Sequence, residues 1–560
     1  MNVPKSAWPL VAAALLLTAC SDAPVRAQHD DHDPYDTGGP LLPEQAAYDV
    51  SYYDLAVRVN PADSTVGGTL RVVAGVHSPI DWFVLDLVPT LDVHGITMGE
   101  TGLAHERRGG RLWIKLPSTR QPGSAVDLSV AYGGRPRVAP RPPWLGGIQW
   151  NRTPSGAPWI ATSCQGEGAD VWWPVKDHVS DEPDSMGIHI TVPEGLVAAS
   201  NGRFVSEEKH SDGWTTWNWH VSTSINTYNV ALNIAPYVRL DSSWVSVAGD
   251  TVPVHFWVLP ENEADGRGLL PEIVDQMRWF ETVVGPYPFR ADKYGVVQTP
   301  HLGMEHQSII AYGANFRNES MTRGADWGFD ALHQHEAAHE WWGNLLTNVD
   351  WADMWLHEGF GSYMQPLYSE HLAGPERYLD HMRSQRRGIR NEKTVAPRGS
   401  LSGDEIYDGH DIYSKGSWIL HSLRYLLGDE TFFTVLRRQA YPDPAMEAVT
   451  DGRQTRFGTT DDFLALAEEH SGRDLAWFFE VYLRQPALPE VVTSQQGDRL
   501  KLEWKVPDGL PFPMPIDLKI GDAVKRVDLS KGPVEVRIPE GMAWEIDPDD
   551  RVLRVGNRTP

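Results

Sequence analysis

The spacing of apolar residues changes twice along this 560-residue chain, and those two changes limit its possible folds more than any other feature. From Tyr48 to about Gly249 the apolar residues alternate with polar ones: Leu55, Val57 and Val59, then Leu70 and Val72, with WFVLDL (Trp82 to Leu87) and WTTWNWHV (Trp214 to Val221) continuing the pattern. A period of two puts side chains on one face of a strand, and turn residues such as Asn60-Pro61-Ala62-Asp63 separate the runs. At PEIVDQMRWFETVVG the period lengthens: Ile273, Met277, Phe280 and Val284 recur at helical spacing. Pro271 suits a first helical turn and Gly285 a C-terminal cap. Helical patterns continue through ALHQHEAAHEWWGNLL, SKGSWILHSLRYLLG and DDFLALAEEHSG. From about Pro486 alternation returns at Leu500, Leu502, Trp504 and Val506, and again in DRVLRV. A chain of this length is too long for one core. The expectation is a multidomain α+β protein: an all-β domain over residues 46–250, a mainly helical domain over 251–485 and a small C-terminal β domain over 486–560.

The first twenty residues, MNVPKSAWPLVAAALLLTAC, carry one lysine and then an apolar run too short to span a bilayer. They read as a signal peptide. The ending Leu17-Thr18-Ala19-Cys20 resembles a bacterial lipobox, which implies cleavage before Cys20, a lipid on its thiol and a membrane-anchored place in the cell envelope. Residues 21–45 are polar and read as a disordered tether; the HDDHD within them reads as solvated acidic linker rather than a metal site. Lipidation of Cys20 would leave Cys164 without a partner, so no disulfide is expected. Lys plus Arg number 49 against 75 Asp plus Glu, a net charge of -26, which argues against a nucleic-acid partner.

One stretch carries chemistry. HQHEAAHEWWGN (His333 to Asn344) sits in the helical block, and a helix over Ala331 to Leu345 is expected. At about 100° per residue, His335 and His339 are about 40° apart on one face, so two imidazoles reach one ion. His333 points about 160° away from His335 and is no ligand. Glu336 follows the first ligand, where its carboxylate reaches a water molecule on the metal rather than the metal itself; H-E-x-x-H uses that Glu as general base. Catalytic zinc takes three protein ligands. A turn near Asn348 to Trp351 would return a second helix against the first, and Asp350, Asp353, His357 and Glu358 are candidates for the third. Spacing does not decide between the neighbours His357 and Glu358.

The block HEAAHEWWGNLLTNVDWADMWLHEGF resembles the aminopeptidase N and leukotriene hydrolase family of zinc peptidases, whose members show HExxHxWxGN and, after a set gap, WLNEGF. His335, Glu336, His339, Trp341, Gly343, Asn344, Trp355, Leu356, Glu358, Gly359 and Phe360 fit it. The resemblance implies one zinc ion per chain with Glu358 as third ligand. It also implies a saddle-like N-terminal β domain and a thermolysin-like catalytic domain. Leu302-Gly303-Met304-Glu305-His306 resembles the family's G-x-M-E-N, where Glu305 would bind the free α-amine of a peptide and Gly303 and Met304 would lie along its backbone. Gln165 resembles the residue from the β domain that completes this amine site, and Tyr413 in Tyr413-Ser414-Lys415-Gly416 resembles the oxyanion-stabilising tyrosine. His306, His357 and Leu302 depart from the pattern. The expected function is a zinc-dependent aminopeptidase acting on peptides with a free N-terminus. A related hydrolase acting on another bond, or a lipoprotein that only binds, are the alternatives; turnover of amino-acid anilides separates them.

Overall fold

The computed structural model describes residues 33–556; Cys20, the signal peptide and the first part of the expected tether lie outside them. The order of β, helical and β regions is the one the apolar periods predict. In the N-terminal region an eight-stranded sheet runs in the order Arg203–Lys209, Trp214–Val221, Ser185–Pro193, Tyr48–Asn60, Thr65–Val76, Ala125–Gly134, Leu91–Met98, Thr101–Gly102. All neighbours are antiparallel except Tyr48–Asn60 and Ser185–Pro193, which pair in parallel. Leu55 faces Leu70 across one pair, and both are buried in one core with Val57, Val59 and Val72. A smaller sheet of Val197–Ala199, Asn233–Ala235, Pro158–Ser163 and Gly147–Arg152 leads the chain from Ser163 into the loop that bears Gln165.

The second region begins earlier than the sequence suggests. Val238–Val245, read as part of the N-terminal domain, pairs with Thr251–Val258 in a five-stranded sheet that continues through Tyr294–Gln298 and Ile310–Tyr312 to an edge strand, Gly303–Met304. Its side chains Leu240 and Trp244 are buried with Phe280 and Met277 in the core of the helical region, so packing assigns it there. Helices α1 (Glu263–Val283), α2 (Ala331–Ala338), α3 (Trp355–Ala373), α4 (Pro375–Gln385), α5 (Gly403–Tyr407), α6 (Ser414–Leu427), α7 (Asp429–Ala440), α8 (Thr460–Ser471) and α9 (Ala476–Leu483) follow. Helix α1 starts eight residues before Pro271, which lies inside it rather than in its first turn. The early turns are held because Gly266 packs directly on Val258, where a Cβ would come within 2.8 Å of Val258 Cγ1.

Helix α2 is shorter than expected. It ends at Ala338, and Asn344, Leu345 and Leu346 donate to carbonyls five residues back, at His339, Glu340 and Trp341. These wider turns unwind the chain, and Gly343, at φ +145°, turns it into the strand Leu346–Asn348.

The C-terminal region pairs Glu490–Gln496, Arg499–Lys505 and Val534–Arg537 in one sheet and Ala523–Val527, Ile516–Ile520 and Trp544–Ile546 in another. Leu500, Leu502, Ile516, Leu518 and Val536 form the core between them. DRVLRV is not a strand: Val552 and Leu553 are buried in the core of the helical region, and Tyr482 donates to the Leu553 carbonyl at 2.7 Å. The reading of residues 33–45 as disordered tether is also corrected. Leu42 is buried, Gln45 donates to Asp86 at 2.6 Å, and Gly39 donates to the Leu401 carbonyl at 3.2 Å. Hydrogen bonds hold this segment together with the packing of Leu42 on Val84 and Trp113. No helix among the described residues is long and apolar enough to cross a membrane.

Candidate metal centre

Every residue of α2 is buried, so leaving a polar side chain on it without a partner is costly. Asp330 caps the helix by accepting from the His333 amide at 3.0 Å. The His333 ring points away from the site, between the Tyr294 hydroxyl at 2.7 Å and Gln276 at 2.6 Å. His335 and His339 face the other way, and their Nε2 atoms lie 3.3 Å apart.

Helix α3 brings the third group. Glu358 Oε2 lies 3.3 Å from His335 Nε2 and 3.7 Å from His339 Nε2, and one ligand atom from each residue falls within 4.8 Å of the others. Among the described residues this is the one group of three or more such side chains placed to hold a metal. His357 is turned aside: its Nε2 accepts the Asn348 amide at 3.1 Å, on the returning chain. Two glycines set these distances. A Cβ on Gly361 would lie 3.2 Å from His335 Cε1 and 3.3 Å from His339 Cε1. A Cβ on Gly359 would lie 3.0 Å from Gly416 Cα, so α3 and α6 cross backbone to backbone. That crossing puts Tyr413, at the start of α6, beside Glu358, to whose Oε1 its hydroxyl donates at 2.9 Å.

The donor chemistry fits a zinc ion. His339 Nδ1 lies 3.0 Å from the Trp342 carbonyl, which can only accept, so Nδ1 is the donor there and Nε2 is the nitrogen left to face a metal. Burial holds the His335 pKa down at about 4, so its ring is neutral at pH 7. Glu358 Oε2 is buried with no hydrogen-bond donor. Two imidazoles and a carboxylate are a set that catalytic zinc takes.

Glu336 and Glu305 lie in the same buried cleft. Burial first, then repulsion from Glu305 and Glu358, holds the Glu336 carboxyl well above the usual range. Glu305 is raised by burial, pulled back by His339 and pushed up again by Glu358. Gly303 on the edge strand lets Glu336 sit against the backbone, since a Cβ there would lie 2.5 Å from Glu336 Oε1. Glu305 Oε1 accepts from Gln165 Nε2 and, at 3.0 Å, from the Tyr228 hydroxyl. Gln165 Oε1 in turn accepts from Tyr407 at 2.9 Å. Asn344 donates to the Glu305 carbonyl at 3.1 Å and to Glu340 at 3.3 Å, which ties the Glu305 strand to the end of α2.

The structure thus brings Gln165, Gly303, Met304, Glu305, His335, Glu336, His339, Glu358 and Tyr413 to one cleft. The sequence reading missed Tyr228 and Tyr407. Neither stands in a motif, and each is linked to the site only by contacts across long stretches of chain. His306 lies beside the site with both ring nitrogens buried and unpartnered, and burial lowers its pKa to about 3.

Two family models match this chain: "Peptidase M1 N-terminal domain" over residues 50–229 and "Peptidase family M1 domain" over 273–482. Aminopeptidase N of Streptomyces lividans is 25% identical over 57% of this chain and 38% of its own length. Aminopeptidase N of Lactococcus lactis is 32% identical over 30% of this chain and 20% of its own. The chain therefore spans well under half the length of these relatives. Human endoplasmic reticulum aminopeptidase 1 is 23% identical over 96% of this chain and 63% of its own length. Among solved structures, a mutant M1 zinc metallopeptidase from Deinococcus radiodurans bound to a Tyr-Ser-Ala substrate superposes with a TM-score of 0.66, at 23% identity, over 82% of this chain and 98% of that one. At that identity the likeness speaks to the fold.

Proposed function

Because this chain belongs to peptidase family M1, we propose that it is a zinc aminopeptidase, releasing N-terminal amino acids from peptides. The observation that carries this reading is the burial of Glu305, Glu336 and Glu358 in one cleft, where burial and mutual repulsion raise the carboxyls of Glu305 and Glu336 above their usual range. Such a cluster calls for cations. A divalent ion on His335, His339 and Glu358 meets part of that demand, and a substrate α-ammonium on Glu305 meets more. A peptide with a blocked N-terminus leaves Glu305 unpaired, and breaking a buried pair costs about 3–5 kcal/mol.

Zinc at this site would supply Lewis acidity to the scissile carbonyl and to an attacking water. Glu336 takes the proton from that water on its carboxylate and hands it to the leaving nitrogen; a raised pKa suits a group that must hold a proton between the two steps. The Tyr413 hydroxyl leaves Glu358 and donates to the developing oxyanion. Gly303–Met304 is an edge strand, paired only with Ile310–Tyr312, and its free side offers backbone groups to an extended peptide.

The proposal extends to location. The apolar run ending in Leu17-Thr18-Ala19-Cys20 supports lipidation at Cys20 and a place in the cell envelope. Labelled palmitate incorporated by the wild type and not by Cys20→Ala would support this; equal labelling would reject it.

The activity is tested on a panel of amino-acid anilides and their N-acetylated forms, with zinc content measured on each variant. The wild type cleaves free-amine anilides. Glu336→Ala keeps zinc and is silent. Glu305→Ala loses the preference for a free amine. Zinc-loaded wild type that cleaves no anilide would remove the aminopeptidase reading.

A further inference from the structure

The segment expected to be a loose tether touches the two pieces of backbone that carry Gln165 and Tyr407. Thr37 makes the link through its own peptide groups. Its N–H donates to the Gly166 carbonyl at 3.2 Å, one residue after Gln165. Its carbonyl accepts from Gly403 at 2.9 Å, at the start of α5, whose last residue is Tyr407. Asp177, beside Thr37, accepts from the Ala169 amide at 2.9 Å and so anchors the far end of the Gln165 loop. Gly166 and Gly403 are in direct contact, since a Cβ on Gly403 would lie 2.6 Å from the Gly166 carbonyl oxygen.

The residues on either side of Thr37 close the same joint. Asp36 Oδ1 accepts from the Asp404 amide at 2.9 Å, inside the first turn of α5. Gly38 forms a bridge with Ser402, and the His178 ring meets the Gly39 carbonyl at 2.9 Å. Arg137 lies over the Tyr35 ring at 4.4 Å and 3.8 Å from Glu167. Gly38 takes φ +86°, and a Cβ on it would lie 2.2 Å from Cδ1 of Trp351, which is buried beside Tyr228 and Tyr407.

We propose that residues Asp36–Gly39 are a positioning clasp that holds the Gln165 loop of the β domain to α5 of the catalytic domain and thereby sets the hydrogen-bond line from Tyr407 through Gln165 to Glu305. The physical reason lies in the amide. A carboxylate only accepts, so Gln165 must turn Nε2 toward Glu305, leaving Oε1 for the Tyr407 hydroxyl. Tyr407 and Gln165 come from different domains, and α5 has only five residues, too short to hold its own position. The clasp supplies the missing constraint from a third part of the chain. This proposal rests on Glu305 binding the substrate amine.

The test uses the full chain with Gly38→Ala, whose Cβ cannot be seated against Trp351, and separately an internal deletion of residues 34–40. KM and kcat are measured for a leucine anilide and its N-acetylated form, with zinc content and Tm. The expected result is a KM raised about tenfold, the effect of loosening one hydrogen bond to a carboxylate. The kcat should stay within about twofold and zinc content should not change, because uniform binding is lost and transition-state contacts are not. Discrimination against the acetylated substrate falls with KM. Unchanged KM in both variants overturns the clasp, as does loss of zinc or of the folded state in both, which would make the segment a structural brace. Glu305→Ala in the same assay separates the layers. If it keeps amine selectivity, the amine reading falls. If it loses selectivity while Gly38→Ala does not, the clasp alone falls.

Discussion

Gly361→Ala opposes two effects of known sign at one atom. Gly361 lies inside α3 with its Cα turned to the metal ligands. Replacing a helix-interior glycine with alanine stabilises a helix by about 1 kcal/mol when nothing stands in the way. Here the new Cβ meets His335 Cε1 at 3.2 Å, His335 Nδ1 at 3.3 Å and His339 Cε1 at 3.3 Å. Those contacts are a few tenths of an ångström too short, and both rings must shift or tilt. The His339 ring is held by its bond to the Trp342 carbonyl at 3.0 Å, so the shift disturbs the direction of Nε2. Changes that misorient a ligating histidine through its surroundings lower metal affinity by roughly 10–100-fold, or about 1.4–2.8 kcal/mol. Apo protein should therefore be as stable as wild type or slightly more so, and zinc affinity should fall. The assay is competition for zinc against a chelator, with Tm recorded with and without metal; the gap between the two Tm values narrows because bound ligand stabilises in proportion to RT ln(1 + [L]/Kd). Unaltered zinc affinity would show that the close packing of α3 on the two rings does not control the site, and would refute the reasoning.

Three further outcomes follow from the same geometry. Tyr413→Phe should keep its zinc and lose about 10²–10³-fold in kcat, the usual effect of removing one oxyanion donor; a loss confined to KM would exclude that role. Removing zinc with a chelator should abolish turnover and lower Tm, and adding zinc back should restore both. His421 lies between the Tyr378 hydroxyl at 2.6 Å and the Asp550 carbonyl at 2.9 Å, and burial depresses its pKa to about 3. The unfolded chain binds the proton near pH 6.5, so His421 favours the folded state above that pH and opposes it as pH falls toward 3. Between pH 6.5 and pH 5 it should remove about 2 kcal/mol of stability. Denaturant unfolding of His421→Gln should lack that part of the acid loss, and an acid limb identical to wild type would contradict it.

The sequence by itself determined what local chemistry determines. The period of two and the period of 3.6 are properties of neighbouring residues, so the β, helical and β order was legible, as was the pairing of His335 with His339 one helical turn apart. The place of Glu336 beside the first of these histidines was legible in the same way. Glu358 was reachable only through a family motif, because spacing does not separate it from His357. The structure separates them by direction: His357 caps the Asn348 amide and Glu358 faces the imidazoles.

What the tertiary structure alone decided depends on contacts between distant residues. The early end of α2 is set by five-residue hydrogen bonds and the turn at Gly343, not by helix propensity. Val238–Val245 belongs to the five-stranded sheet of the second region because Thr251–Val258 pairs with it. Tyr228 and Tyr407 join the Glu305 site across 77 and, through Gln165, 242 residues of chain. Residues 33–45 are low in apolar content and read as tether, yet backbone hydrogen bonds from Thr37 to Gly166 and Gly403 hold them in place. Peptide groups are the same in every residue, so whether they find such partners leaves no mark in the sequence.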